Sequence, residues 1–192
     1  MVKAAISDGH RVVIVDNSPD PAIAATLGEL GAMVFPQLHK GDPKRKRPGM
    51  GPGRREAFHH AWEVAIMEEC LYILWTEPEK VDLIRWIERI IRPLEEDEAE
   101  IVIPFRSELA WSTWPAFQME SELKANAIYN QLFSETLGNG PYDPMFGPVA
   151  FTLGMMPYFA LCYCNPKIFG NAVPDTYIQH FGPLFACYDV KA

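Results

Sequence analysis

The chain has 192 residues, of which 48% are hydrophobic, and a formal net charge of -8 at pH 7. This length and apolar content suit a single globular domain over residues 1–192 with a sizeable core. The acidic balance argues against a general nucleic-acid-binding protein, because such proteins need a basic face to neutralise phosphates.

Cysteine usage and hydropathy bear on the cell compartment. The four cysteines are scattered without the paired spacing of a zinc site, so we interpret them as reduced thiols. No run of about eighteen apolar residues predicts a transmembrane helix, and the N-terminus lacks the apolar core of a secretory signal. These features predict a cytoplasmic protein without a transmembrane segment.

A strand–helix–strand pattern lies near the start of the chain. Residues 11–16 form a β-branched run typical of a strand that is buried on both faces. Residues 22–30 are rich in helix formers and stop at Gly31, after which residues 32–35 predict a short strand. The next segment, residues 37–55, is basic and rich in glycine and proline, which predicts a loop.

The alternation of helices and strands continues beyond this loop. The sequence predicts a helix over 56–70, a strand over 71–75, an amphipathic helix over 81–94 and a strand over 100–104. Such alternation predicts an α/β fold with a mainly parallel, Rossmann-like sheet flanked by helices.

The pattern loosens after Arg106. Trp111, Trp114 and Phe117 crowd an irregular segment, where they either pack under a long loop or stack on a sugar or an acceptor. The remaining predicted elements are a helix over 121–132, a turn-rich loop over 138–147, a strand over 146–153 and a short helix from residue 155.

Two carboxylates one residue apart, Glu77 and Glu79, follow the strand at 71–75 directly. Ligands of open α/β sheets bind beyond the carboxyl ends of the strands, and hard cations prefer oxygen ligands. The pair is therefore a candidate site for a divalent metal that bridges a diphosphate. The alternative is a capping box, in which Thr76 and Glu79 satisfy the free amide groups of a new helix.

Residues 51–55, Gly-Pro-Gly-Arg-Arg, directly precede the helix predicted at 56–70. Glycines let backbone amides approach a phosphate, a helix N-terminus carries partial positive charge, and arginine supplies forked donors. The segment is thus either a phosphate-binding loop or a flexible linker. The glycine patterns of dinucleotide-binding and P-loop proteins are missing from the sequence, as is the Gly-x-Ser-x-Gly elbow of many hydrolases.

Three segments described above follow one another along the chain: the strand end at 15–20, the segment with glycines and arginines at 51–55, and the strand with two glutamates at 71–79. In order and spacing they resemble the nucleotide-sugar half of GT-A, family 2-like glycosyltransferases. Within that class, the loop at 143–150 is most similar to glucosyl-3-phosphoglycerate and mannosyl-3-phosphoglycerate synthases. The resemblance implies a GT-A fold, with a donor half at 10–105 and an acceptor half at 106–192.

The resemblance also implies roles for individual residues. Asp16 and Asn17 would contact the base or ribose of a nucleotide-diphosphate sugar. The diphosphate would lie against Gly51, Gly53, Arg54 and Arg55. Glu77 and Glu79 stand where family members carry Asp-x-Asp, and they would bind Mn²⁺ or Mg²⁺.

Two further candidates lie in the acceptor half. Asp143 is a candidate for binding a small-molecule or glycan acceptor or for acting as the base, and His180, after Asp175, is a candidate for completing the metal shell. Their alternatives are a turn-forming aspartate and a histidine at the edge of the core.

The ends of the chain also differ from the family pattern. The first residues, 1–8, read like the helix that follows the first strand of the family, so we expect that strand and some acceptor-side elements to be missing. The sequence leaves three functions open: a glycosyltransferase, a catalytically inactive nucleotide- or sugar-phosphate-binding remnant, and a sugar-phosphate nucleotidyltransferase.

Overall fold

The computed structural model describes residues 1–38, 50–137, 141–160 and 178–189, which form a mixed α/β fold. The first part of the chain contains α1 (Val2–Ser7), β1 (Val13–Asp16), α2 (Pro21–Glu29) and β2 (Met33–Pro36). β1 and β2 are parallel and pair from Val13 with Met33 to Asp16 with Pro36. The predicted strand–helix–strand unit is therefore confirmed.

Local chemistry explains where α2 begins. The carboxylate of Asp20 accepts a hydrogen bond of 2.9 Å from the amide of Ala22, and Pro21 occupies the first helical position. Both features are typical of helix N-termini, because the cap satisfies a free amide and proline has none to satisfy. The same turn begins at Asp16, whose side chain accepts from the amide and the hydroxyl of Ser18.

The second part of the chain contains a second sheet and the longer helices. Its elements are α3 (Met50–Met67), β3 (Tyr72–Trp75), a 3₁₀ helix (Val81–Trp86), α4 (Ile87–Glu95), β4 (Ile101–Val102), α5 (Glu108–Ser112), α6 (Ala116–Leu137), a 3₁₀ turn (Pro144–Phe146), β5 (Val149–Thr152), a 3₁₀ turn (Leu153–Met155), α7 (Met156–Ala160) and α8 (Ile178–Asp189). No helix in the described ranges has the length and apolar character needed to cross a bilayer.

The second sheet has the order β3-β5-β4, and β5 is antiparallel to both neighbours. β3 and β4 therefore run in the same direction, as the alternation of helices and strands predicts. β5, however, lies between them in the opposite direction. Among the described residues, parallel pairing is thus observed only between β1 and β2, and the mainly parallel sheet predicted from the sequence is not observed.

The core surrounds β5, whose first three residues are almost fully buried. Alternate side chains of a strand point to opposite faces. Val149 and Phe151 pack with Phe58 of α3, whereas Ala150 packs with Leu94 of α4. Helices thus cover both faces of the second sheet.

Helix α3 packs against β1 and β3, and so touches both sheets. The ring of His60 in α3 also stacks on Phe35 of β2, with centroids 4.0 Å apart. β1 was predicted to be buried on both faces, but its residues are only half-buried. The reason is that, among the described residues, β1 pairs only with β2.

Helix α3 also corrects the sequence analysis. The segment 51–55 was predicted to be a loop before a helix, yet α3 includes Gly51, Gly53, Arg54 and Arg55. A methyl group on Gly53 would lie 3.0 Å from the side-chain amide of Gln37, so the glycine allows α3 to approach the end of β2. The rest of the predicted basic loop, residues 39–49, lies outside the described residues.

Candidate functional site

Glu77 lies just beyond the C-terminal end of β3. The turn there is closed by a hydrogen bond of 3.1 Å, which the amide of Lys80 donates to the carbonyl of Glu77. This turn also brings the two side chains together, and Lys80 Nζ donates to Glu77 Oε2 at 2.5 Å. Arg54 approaches from α3, with Nη2 3.7 Å from Glu77 Oε1. We call Arg54, Glu77 and Lys80 the Glu77 cluster.

The Glu77 cluster is partly open to solvent. The side chains of Arg54 and Glu77 are 16% exposed and that of Lys80 is 14% exposed. The Arg54 guanidinium also lies 5.1 Å from the ring centroid of Trp75, the last residue of β3. Two cations thus flank one carboxylate, and each of the three side chains keeps a small solvent-exposed fraction.

Gly147 closes the Glu77 cluster on one side. Its φ of +100° is rarely adopted by residues with a side chain, and a Cβ there would lie 2.5 to 2.9 Å from the Glu77 carboxylate group. The neighbouring Phe146 ring lies 5.4 Å from Lys80 Nζ. The loop before β5 is therefore fitted closely around Glu77.

His180 of α8 is buried near the same cluster. Its burial, together with the positive charges of Arg54 and Lys80, lowers its pKa to about 4. The imidazole is therefore neutral at pH 7, which is the form that binds metals. The ring of Tyr129 contacts it edge-on at 5.9 Å between centroids.

A second group of charges is almost completely buried. Arg106 donates from Nε and Nη2 to the two oxygens of Asp143 at 2.7 Å each, and from Nη1 to Glu122. Asn126 of α6 donates to Asp143 Oδ1 at 2.6 Å. We call Arg106, Asp143, Glu122 and Asn126 the Arg106 network.

Aromatic rings cover the guanidinium of Arg106. The centroid of Trp111 lies 3.6 Å from Cζ, and those of Trp114 and Phe146 lie 5.0 and 5.3 Å away. Burial opposes the charge, but the hydrogen bonds to Asp143 and Glu122 outweigh it and raise the pKa of Arg106 above its ordinary value. The tryptophans thus pack around a buried cation.

This arrangement gives Asp143 a positioning role. Its side chain is 1% exposed and accepts from Arg106 and Asn126 at both oxygens. Action as a base would require these bonds to break, so the geometry does not favour that prediction. Asn126 also accepts from the amide of Met145 at 3.0 Å. The network therefore fixes the loop that carries Phe146 and Gly147.

The turn after β3 excludes the capping box that was the alternative for Thr76 and Glu79. The next helix begins at Val81, Lys80 is its N-cap, and no side chain caps it. Thr76 instead donates to the carbonyl of Glu77 at 3.3 Å. Glu79 is exposed in the turn.

A line of contacts joins the end of β1 to the Glu77 cluster. The amide of Gln37 donates to the carbonyl of Asp16 at 2.8 Å, and its side chain lies against Gly53, which precedes Arg54 in α3. Asn17 is exposed beside Asp16. Of the other predicted phosphate ligands, Gly51 and Arg55 are buried within α3. A phosphate bound at Arg54 would therefore not be held by the backbone amides of a glycine-rich loop.

The described side chains do not form a set of metal ligands. In the described ranges, no three histidine, cysteine, aspartate or glutamate side chains gather into a metal cluster. Glu77 is a carboxylate of the type that Mn²⁺ and Mg²⁺ accept, and neutral His180 is a ligand suited to Mn²⁺.

Three important residues were missed by the sequence analysis. Lys80 stands three residues after Glu77, and this spacing could have suggested an ion pair across the turn. Arg106 and Asn126 carry no such local signal, since their shared partner Asp143 is distant in sequence. Phe117, which was predicted to join the aromatic cluster, is exposed.

Comparisons with known proteins identify no matching family model, no matching curated protein and no matching solved structure. A functional proposal therefore rests on the residues and geometry described above.

Proposed function

We propose that this chain forms the donor site of a GT-A-type glycosyltransferase, which transfers a sugar from a nucleotide-diphosphate donor to an acceptor hydroxyl. One observation carries the proposal. Arg54 and Glu77, predicted separately from distant parts of the sequence, pair beyond the C-terminal end of β3, and the charges of Arg54 and Lys80 act on the buried His180. This is the edge at which open α/β sheets bind their ligands.

The parallel pairing of β1 with β2 is the feature of the sheets that agrees with the proposed fold. The described strands form two separate sheets, β1-β2 and β3-β5-β4, and α3 packs on both β1 and β3.

Within this proposal, Arg54 and Lys80 bind the diphosphate of the donor. Arginine offers forked donors to phosphate oxygens, while lysine acts as a compact point charge. Glu77 and His180 hold the metal, with Glu79 close in sequence on the exposed turn. A bound Mn²⁺ or Mg²⁺ ion would neutralise charge that develops on the leaving diphosphate.

The base and ribose lie nearer to β1 in this proposal. Asp16 and Asn17 end that strand, and the contacts through Gln37 and Gly53 lead from there to Arg54. The acceptor would approach from the loop at 143–147, which the Arg106 network holds in place. We assign Asp143 to this positioning and leave proton transfer to a group outside the network.

Calorimetry with UDP- and GDP-sugars, with and without manganese, tests the donor site. We expect metal-dependent binding that Arg54→Met weakens at least about tenfold, the loss expected for a charge-assisted phosphate contact. Arg85→Met is the matched control, because Arg85 is exposed and pairs only loosely with Asp82. The absence of binding to any of these sugars would overturn the proposal.

Product analysis separates the three functions. Release of UDP or GDP on incubation with acceptors identifies the transferase, whereas pyrophosphate released from a nucleoside triphosphate and a sugar phosphate identifies a nucleotidyltransferase. Nucleotide-sugar binding without either product identifies the inactive binding protein.

A further inference from the structure

Two cations of the Glu77 cluster, Arg54 and Lys80, lie against one carboxylate, that of Glu77. Lys80 Nζ lies 2.5 Å from Glu77, the shorter of the two ion-pair distances in the cluster. The carboxylate is therefore held chiefly by Lys80.

Carboxylate and phosphate oxygens accept the same kind of charge-assisted hydrogen bond from arginine and lysine. The position occupied by the Glu77 carboxylate is thus one that a phosphate group also satisfies. Each of the three side chains of the cluster is 14 to 16% exposed, so a phosphate that binds the two cations takes the place of the carboxylate.

We infer that Glu77 fills a phosphate-binding site formed by Arg54 and Lys80, so that an incoming diphosphate competes with its carboxylate. Assignment of this anion as the diphosphate of a sugar donor rests on the proposed function. The competition itself rests on the ion pairs of the cluster. Glu77 therefore acts as an internal anion that weakens phosphate binding in the unliganded protein.

This competition couples the two ligands of the site. A divalent ion that takes the Glu77 carboxylate releases Lys80 and Arg54 for the phosphate. By linkage, phosphate bound to the two cations also releases Glu77 for the ion. Gly147 leaves room for the Glu77 carboxylate because it has no side chain. A side chain at this position would push the carboxylate away from Lys80.

The test uses inorganic pyrophosphate in metal-free buffer with a chelator, so that only the competition is measured. Calorimetry should show that Glu77→Gln binds pyrophosphate about tenfold more tightly than wild type, since the amide keeps the shape but releases the cations. Asp82→Asn is the matched control: it makes the same change of net charge at an exposed carboxylate nearby, and it should change the affinity less than about twofold. Equal affinities of Glu77→Gln and wild type would overturn the inference.

Lys80→Met provides an independent measurement, which also serves if Glu77→Gln fails to fold by circular dichroism. We expect Lys80→Met to weaken pyrophosphate binding in the wild-type background and to remove the gain in the Glu77→Gln background. Unchanged pyrophosphate binding in Lys80→Met would contradict the inference, because a lysine that serves only as the ion-pair partner of Glu77 has no contact with the ligand.

The two proposals can fail separately. Tighter pyrophosphate binding by Glu77→Gln without nucleotide-sugar binding by wild type supports the phosphate site and overturns the donor site. Metal-dependent nucleotide-sugar binding with no effect of Glu77→Gln on pyrophosphate supports the donor site and overturns the competition.

Discussion

Two charged clusters in the described part of the chain approach the same phenylalanine ring, and they differ in how completely their charges are satisfied. The Phe146 ring lies 5.4 Å from Lys80 Nζ in the Glu77 cluster and 5.3 Å from Arg106 Cζ in the Arg106 network. Both clusters thus place a cation near the same ring. They differ in the burial of their side chains and in the number of hydrogen bonds that the carboxylate of each cluster accepts.

In the Arg106 network, Asp143 accepts from three side-chain donors and from the amide of Arg106. In the Glu77 cluster, the carboxylate of Glu77 has one short bond to Lys80 and a longer approach to Arg54 at 3.7 Å. A buried ion pair is costly to break because one partner is left as an uncompensated charge, whereas a partly exposed one can turn to water. The comparison predicts that the Arg106 network contributes more to stability than the Glu77 cluster does.

The strongest way to break this comparison is to make the same chemical change in both clusters. Asp143→Asn should lower the free energy of unfolding by about 3 to 5 kcal/mol, because it leaves Arg106 buried with only part of its compensation. Glu77→Gln, its matched control, should cost about 1 kcal/mol or less, as its partners can be solvated. Urea denaturation followed by circular dichroism measures both, and similar losses in the two variants would refute the distinction.

The pH dependence of stability tests the environment of His180. Its pKa falls from 6.5 to about 4 on folding, so between these values the unfolded chain binds a proton that the folded chain does not. Stability is therefore full above about pH 6.5 and declines as the pH falls towards 4, by about 3 kcal/mol in total from this group.

The measurement compares urea denaturation at several pH values in wild type and His180→Gln. The variant should lose the part of the slope that lies between pH 6.5 and 4, whatever its overall stability. Lys80→Met should reduce the same slope slightly, because the positive charge of Lys80 is one of the causes that lower the histidine pKa. A slope that is unchanged in His180→Gln would place the histidine in a solvated setting.

The two clusters also show which parts of the molecule can be predicted from sequence. The unit from β1 to β2 and the position of Glu77 after β3 follow from local patterns: β-branched runs, the cap at Asp20 and the turn after Trp75. Such signals involve residues close in sequence, so they can be identified without coordinates.

The features that were missed depend on long-range contacts. Asp143 was predicted from its loop to bind an acceptor or to act as the base, but its partner Arg106 is 37 residues away and no local pattern connects the two. Gly53 was predicted to belong to a loop because glycine disfavours helices. In the structure it lies in α3, where the close side chain of Gln37 leaves little space for a Cβ. In both cases tertiary packing outweighs local preference.

Apart from the control variants, the smallest loss of stability among these predictions is expected at Gly147, which lies next to the Glu77 carboxylate in the loop that Asn126 holds. Gly147→Ala should lower the free energy of unfolding by about 1 to 3 kcal/mol, because a φ of +100° is strained for alanine and its Cβ would displace Glu77. The matched control is Gly28→Ala in α2, where an added Cβ meets nothing within 4 Å and should stabilise the helix by up to about 1 kcal/mol. Thermal unfolding resolves this difference of sign.

The same variant sharpens the comparison because it acts on both clusters through one backbone position. If the Arg106 network fixes the loop rigidly, the loop cannot yield to the new methyl group, and Glu77 must move away from Lys80 instead. Metal-free pyrophosphate binding in Gly147→Ala should then increase, as in Glu77→Gln. A loss of stability with unchanged pyrophosphate affinity would mean that the loop itself shifts, and that the Arg106 network does not hold it.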